Sequence, residues 1–193
     1  MSLIKSKIDV GLSALDSWRR CCGDIAPVGF LLRRDRPERW LRVHYFEDER
    51  RAPTSPGELS RAVEIVLALV ERIVDSFDSL LILVLAHDLP ARTSATGLGL
   101  TQISNVPDGW IKLLDEYADT SALSVHAGLL AQRDRDMGQL VEAVAKRKIE
   151  GATVLNPASC EALCLYDGGV DVFVADSSRR QVIAVEFEAL ARV

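Results

Sequence analysis

Long apolar runs, histidines and metal-spaced cysteines are scarce in this sequence, and each scarcity removes a class of answers. No stretch approaches the ~20 apolar residues of a membrane-spanning helix, so no membrane association is expected. The most apolar stretch, residues 80–86, has only the length of a strand. Three histidines are present, His44, His87 and His126, so a histidine metal site would need all three to converge. The four cysteines fall as the adjacent pair Cys21 and Cys22 and the spaced pair Cys160 and Cys164. Neither pair has the C-x2-C spacing of a zinc site, so they read as small buried apolar side chains. Gly97-Leu98-Gly99 lacks the third glycine of a dinucleotide fingerprint, and no Gly-Lys-Ser/Thr follows it. No G-x-S-x-G elbow occurs either. No metal and no cofactor are therefore expected, and nothing selects a catalytic set. No signal-like segment opens the sequence, so a cytoplasmic setting with reduced thiols is expected.

What is present is ordinary globular material. The 193 residues are 48% hydrophobic and 26% charged, which suits one domain over 1–193 with a substantial core. The formal charge is −5, which argues against a general nucleic-acid binder. Charge is uneven: residues 1–51 carry 11 basic and 8 acidic side chains, and residues 52–193 carry 12 and 20. Such asymmetry can steer a charged partner toward one face.

Periodicity supplies the elements. Ile4, Ile8, Leu12, Leu15 and Trp18 recur at helical spacing over 4–20, with Gly23 as the stop. Residues 28–34 read as a strand, a polar break follows at 35–38, and residues 40–46 alternate. Leu41, Val43 and Tyr45 share one face, and Trp40, Arg42 and His44 the other. The two runs suggest a hairpin. Ser55-Pro56-Gly57-Glu58 carries a capping box and a first-turn proline, and opens a helix with a wide apolar face. Residues 80–85 are apolar on both faces and predict a central strand covered on both sides. Residues 91–105, rich in Ser, Thr and Gly, read as a long loop, and 110–117 as a short helix. A strand is expected over 123–132. Asp136 is placed as the cap of a helix with Met137, Leu140, Val141 and Val144 on its buried stripe, ended by Gly151. Strands follow over 152–155, 162–166 and 170–174, with Asp167-Gly168-Gly169 as a tight turn. Residues 176–190 read as a closing helix capped by Asp176 or Ser177. The order α-β-β-α-β-(α)-β-α-β-β-β-α implies an α+β fold: a mixed, largely antiparallel sheet with packed helices.

Two polar sets stand out. His87 and Asp88 follow the central strand, where ligands often bind and where a carboxylate can tune an imidazole. Trp40, Arg42 and His44 share a strand face and make an anion or partner patch. Asp167 and Asp171 flank a glycine turn that offers too few oxygens for calcium.

Two blocks resemble a family of small uncharacterised bacterial domains. Residues 37–48, Pro-Glu-Arg-Trp-Leu-Arg-Val-His-Tyr-Phe-Glu-Asp, resemble its Arg-Trp-aliphatic-Arg-apolar-His strand. Here Tyr45-Phe46-Glu47 stands where the family usually has Ser-Leu-Pro. Residues 166–171, Tyr-Asp-Gly-Gly-Val-Asp, resemble its Tyr-Asp-Gly-Gly-x-Asp segment. Residues 152–157 and 179–190 are similar to the strand-and-turn before that segment and to the closing helix. The resemblance covers 26–50 and most of 122–192, and matches poorly at the first helix and over 91–121. It implies that Trp40, Arg42, His44, Tyr166, Asp167 and Asp171 belong to shared features, and it brings no assigned activity.

The expected role is a protein–protein interaction or immunity-like factor with a protein partner and no catalytic constellation. The alternative is an enzyme or small-ligand binder with its site near His87, Asp88 and loop 91–105. The oligomeric state is left open.

Overall fold

The computed structural model describes residues 14–46, 52–73, 80–86, 88–103, 106, 110, 124–130 and 133–192. A first helix, α1, covers 14–22, and Gly23 ends it with φ 66° while its N–H reaches the Arg19 carbonyl at 2.7 Å. That is the left-handed stop expected of this glycine. Then come α2 (Gly29–Asp35), a 3-10 turn (Pro37–Arg39), β1 (Trp40–His44) and α3 (Pro56–Ile73). Next are β2 (Leu81–Ala86), α4 (Leu89–Gly97), β3 (Thr101–Ile103), β4 (Ser124–Leu129) and α5 (Arg133–Ala145). The chain finishes with β5 (Ala152–Asn156), β6 (Glu161–Tyr166), β7 (Gly169–Phe173), α6 (Ser177–Glu186) and β8 (Ala191–Arg192).

The eight strands form one sheet in the order β3-β4-β2-β5-β6-β7-β1-β8. Every neighbouring pair runs antiparallel. Helices cover both faces. On one face Ile82, Val84 and Ala86 of β2 pack with α3, α4 and α5; on the other Leu81, Leu83 and Leu85 pack with α1, α2 and Trp110. The two-sided apolar run of β2 is thus explained by helices above and below it, as its sequence requires. Trp18 and Trp110 meet edge to face at 6.5 Å and brace the second layer.

Local chemistry sets the helix starts. Ser55 Oγ accepts the Glu58 N–H at 3.2 Å, and the Glu58 carboxylate accepts the Thr54 N–H at 2.6 Å. With Pro56 in the first turn, Ser55 and Glu58 cap the helix as read from the sequence, the return bond going to Thr54 rather than to Ser55. Asp176 accepts the Arg179 N–H at 2.9 Å and caps α6, so the closing helix forms where expected.

Several segments differ from their sequence readings. Residues 28–34 are not a strand; Gly29–Asp35 is helix α2. Leu31 and Leu32 are adjacent and both buried, while Arg33 and Arg34 are adjacent and both exposed. A helix turning 100° per residue satisfies that pairing, whereas a strand would split each pair across its faces. The partner of β1 is therefore β7, with Trp40 opposite Phe173 and His44 opposite Gly169. The stretch expected as a loop over 91–105 carries a helix and a strand in its described part, 91–103. Asp88 accepts the Ala91 N–H at 2.7 Å and starts α4, with Pro90 in its first turn. Gly99, at φ 80°, then turns the chain into β3. Helix α5 starts before Asp136, which lies in its first turn. Its end is made by Arg147 at φ 54° rather than by Gly151. Of the helix expected at 110–117, only Trp110 falls among the described residues. The expectation of four reduced thiols is also corrected: Cys21 and Cys160 are joined in a disulfide with 5.1 Å between Cα atoms. Cys22 and Cys164 are free and buried, as read. Among the described residues no helix is long and apolar enough to cross a membrane.

Candidate functional site

Strand register brings distant residues into one row. Arg42 lies opposite Asp171, Asp171 opposite Cys164, Cys164 opposite Thr153, and Thr153 opposite Leu83. Partners in a non-bulged ladder share a face, so this row crosses five strands on the side covered by α1 and α2. The neighbouring row carries Tyr166, Gly169 and His44. The row on the other side carries Ala162, Phe173 and Trp40.

Arg42 and Asp171 form a two-pronged ion pair. Nε donates to Oδ1 at 2.8 Å and Nη2 donates to Oδ2 at 3.1 Å. The Asp171 side chain is 3% exposed and that of Arg42 is 28% exposed, so the carboxylate is sealed and the guanidinium is not. The hydrogen bond to Asp171 raises the Arg42 pKa further, with burial opposing it. The guanidinium carbon lies 4.9 Å from the Tyr166 ring centroid and 5.7 Å from that of Trp40, so two aromatic faces hold its plane. Arg33 from α2 sits 5.1 Å from the same Trp40 ring.

Two glycines make room for this arrangement. A Cβ on Gly29 would sit 2.6 Å from Asp171 Oδ2, so only glycine lets the start of α2 approach the buried carboxylate. A Cβ on Gly169 would sit 2.6 Å from the Tyr166 hydroxyl and 2.5 Å from the Val43 carbonyl. The glycine pair after Asp167 therefore does more than turn the chain; its second member leaves the space that Tyr166 fills. Thr153 Oγ1 donates to the Pro27 carbonyl at 2.8 Å and tethers the α1–α2 connection to the sheet. Its oxygen lies 3.4 Å from Cys164 Sγ. Burial pushes the Cys164 thiol well above its ordinary range, and it pushes Cys22 up to about 11. Both are neutral thiols at physiological pH, which makes them poor nucleophiles.

Between the sheet and residues 27–30 lies a cavity of about 350 Å³. Arg42, Asp171, Cys164, Thr153 and Tyr166 supply its polar groups together with Glu150. Pro27, Val28, Phe30 and Leu85 supply most of its apolar wall. Its size and mixed lining are those of a small-molecule site.

The sequence candidates thus divide. Arg42, Tyr166 and Asp171 meet at the cavity, with Trp40 beneath Arg42. His44 stands one row along, and its backbone N–H bonds the Leu190 carbonyl at 2.9 Å. Asp167 faces away to an ion pair with Arg147 at 2.7 Å. Asp88 is the cap of α4, and His87 lies outside the described residues. His126 on β4 is five strand positions from His44 on β1. That is on the order of 24 Å at ~4.8 Å per strand. His126 packs with Val84 on the opposite face of the sheet, buried, with Nε2 at 3.2 Å from Ser124 Oγ. Burial lowers its pKa, with the Arg92 charge adding to the effect. Among the described residues, no three His, Cys, Asp or Glu side chains cluster as metal ligands. Gly29, Thr153 and Cys164 went unselected in the sequence reading. Only strand register could have found the last two, and no local signal marks Gly29.

These features define an α+β domain with a buried Arg–Asp pair at the floor of a cavity between sheet and helix. Residues 28–190 match the family model of a domain of unknown function, DUF3885, and the chain belongs to that family. No curated protein and no solved structure matches it.

Proposed function

We propose that this protein binds a small ligand in the cavity above Arg42 and Asp171. The observation that carries the reading is the convergence on one cavity of Arg42 and Asp171, 129 residues apart in the chain. A buried ion pair is a poor device for stability alone, because desolvation offsets much of its Coulomb gain. It is a good device for holding a donor in a fixed place. This reading favours the cavity over the site expected beside His87 and Asp88, and the engagement of Asp88 as a helix cap supports that preference. Native mass spectrometry of the purified protein tests this. A retained small molecule in the wild type, absent from Val28→Trp, is the expected result. Identical spectra for the two would count against it.

A protein-interaction or immunity-like role is the second reading. It is supported by α6, whose Val182 and Val185 are each 63% exposed on one helix face. Its signature would be a 1:1 complex in native spectra that Val182→Asp with Val185→Asp abolishes. The cytoplasmic setting is likewise a proposal, and the state of Cys21 and Cys160 in a freshly alkylated lysate bears on it directly.

A further inference from the structure

The chemistry of the cavity lining selects a class of ligand. Asp171 occupies the Nε–Nη2 edge of the Arg42 guanidinium. Among the described residues Nη1 has no protein partner, and Arg42 is the exposed member of the pair. A guanidinium has five N–H donors in one plane, so the remaining donors lie in the plane fixed by the Tyr166 and Trp40 rings. An acceptor placed in that plane would complete the set.

Charge then limits what the acceptor is. Asp171 already neutralises Arg42 through both of its oxygens. The Arg42–Asp171 pair therefore brings no net positive charge to the lining, and the Cys164 thiol stays neutral. A carboxylate or phosphate brought to Nη1 would meet the carboxylate already bonded to the same guanidinium. A neutral carbonyl meets no such repulsion and still takes a charge-assisted hydrogen bond. The rest of the wall, with Pro27, Val28, Phe30 and Leu85, favours an apolar body.

We infer that the cavity takes an uncharged, mostly apolar molecule that presents one amide or carbonyl oxygen to Arg42. The inference rests on the ligand-binding reading above and sharpens it.

The test uses hexanamide, hexanoate and hexylamine, which share a body and differ in head group. Binding is followed by amide chemical shifts of Gly151, Thr153 and Tyr166 in the full chain. Hexanamide is expected to shift these signals saturably, about tenfold more tightly than hexylamine, which offers no acceptor to Arg42, and than hexanoate, whose charge meets that of Asp171. Arg42→Lys keeps a cation for Asp171 and removes the planar donor, so it should cancel the advantage of hexanamide without unfolding the protein. Val28→Trp, which fills the cavity from its half-buried wall, should abolish binding of all three. Tighter binding of hexanoate or hexylamine would overturn the uncharged class while leaving the cavity as a ligand site. Failure of all three to shift these residues, or shifts unchanged in Val28→Trp, would overturn both.

Discussion

At the scale of single residues, the Arg42–Asp171 pair separates what a side chain contributes from what its loss leaves behind. Arg42→Ala strands a carboxylate that is 3% exposed among Cys164, Gly29 and the sheet. Removing one partner of a buried pair costs about 3–5 kcal/mol, because the other charge is left without compensation. Arg42 is 28% exposed, so water reaches the site and discounts the cost below that range, to about 2–3 kcal/mol. Arg42→Met with Asp171→Leu removes both charges and should recover most of that loss. Urea unfolding of the three proteins measures this. Equal midpoints for wild type and Arg42→Ala would mean that Asp171 is solvated in a way its burial denies. The pair itself was only half legible in the sequence. Arg42 and Asp171 each stood out, one in a Trp-Leu-Arg-Val-His strand and one after a double glycine. That they touch was not visible, because residues 28–34 were expected to partner β1.

At the scale of elements, success and failure follow from how local each signal is. Helix α3 and helix α6 were legible because their caps, Ser55 with Glu58 and Asp176, lie beside the apolar stripes they serve. Helix α2 was not, since Val28 to Leu32 reads as a short apolar run, and so short a run does not by itself tell helix from strand. Helix α4 was hidden by its Ser, Thr and Gly content, although Asp88 and Pro90 marked its start. The disulfide was missed for a different reason. Cys21 and Cys160 stand 139 residues apart in sequence, and no local spacing pairs them. In the fold they tie α1 to the turn between β5 and β6. Arg36 donates to the Cys21 carbonyl at 2.8 Å and Arg39 to the Cys160 carbonyl at 3.1 Å, so the same junction is also hydrogen-bonded. A bridge closing so long a loop contributes about 2–4 kcal/mol, chiefly by restricting the unfolded chain. Cys21→Ser with Cys160→Ser should lower stability by that amount, and dithiothreitol should lower the wild type to match. A reductant-insensitive wild-type midpoint would show that the bridge contributes nothing measurable.

At the scale of the whole molecule, the sheet order places β1 next to last, between β7 and the two-residue β8. The antiparallel character of the sheet was legible from hairpins such as β6–β7, where Asp167-Gly168 joins paired strands. The insertion of β1 beside β7 was not, because a pairing across more than a hundred residues leaves no local trace. This topology sets an expectation for amide exchange. Strands β2, β5 and β6 have a partner on each side and sit under both helix layers, so their amides should open only with global unfolding. The edge strands β3 and β8 are three and two residues long and should exchange by local fraying. The informative case is β1. It carries Arg42, bonds β7 along its whole length, and is shielded on its outer side only by β8. If the ion pair and the Tyr166 and Trp40 contacts lock it, residues 40–44 exchange with the β2 group, and the donor at the floor of the cavity is fixed before any ligand arrives. Exchange of residues 40–44 at the rate of β3 would mean the reverse. The Arg42 guanidinium would then be ordered only on binding, and affinity at the cavity would be reduced by the fraction of molecules in which β1 is open.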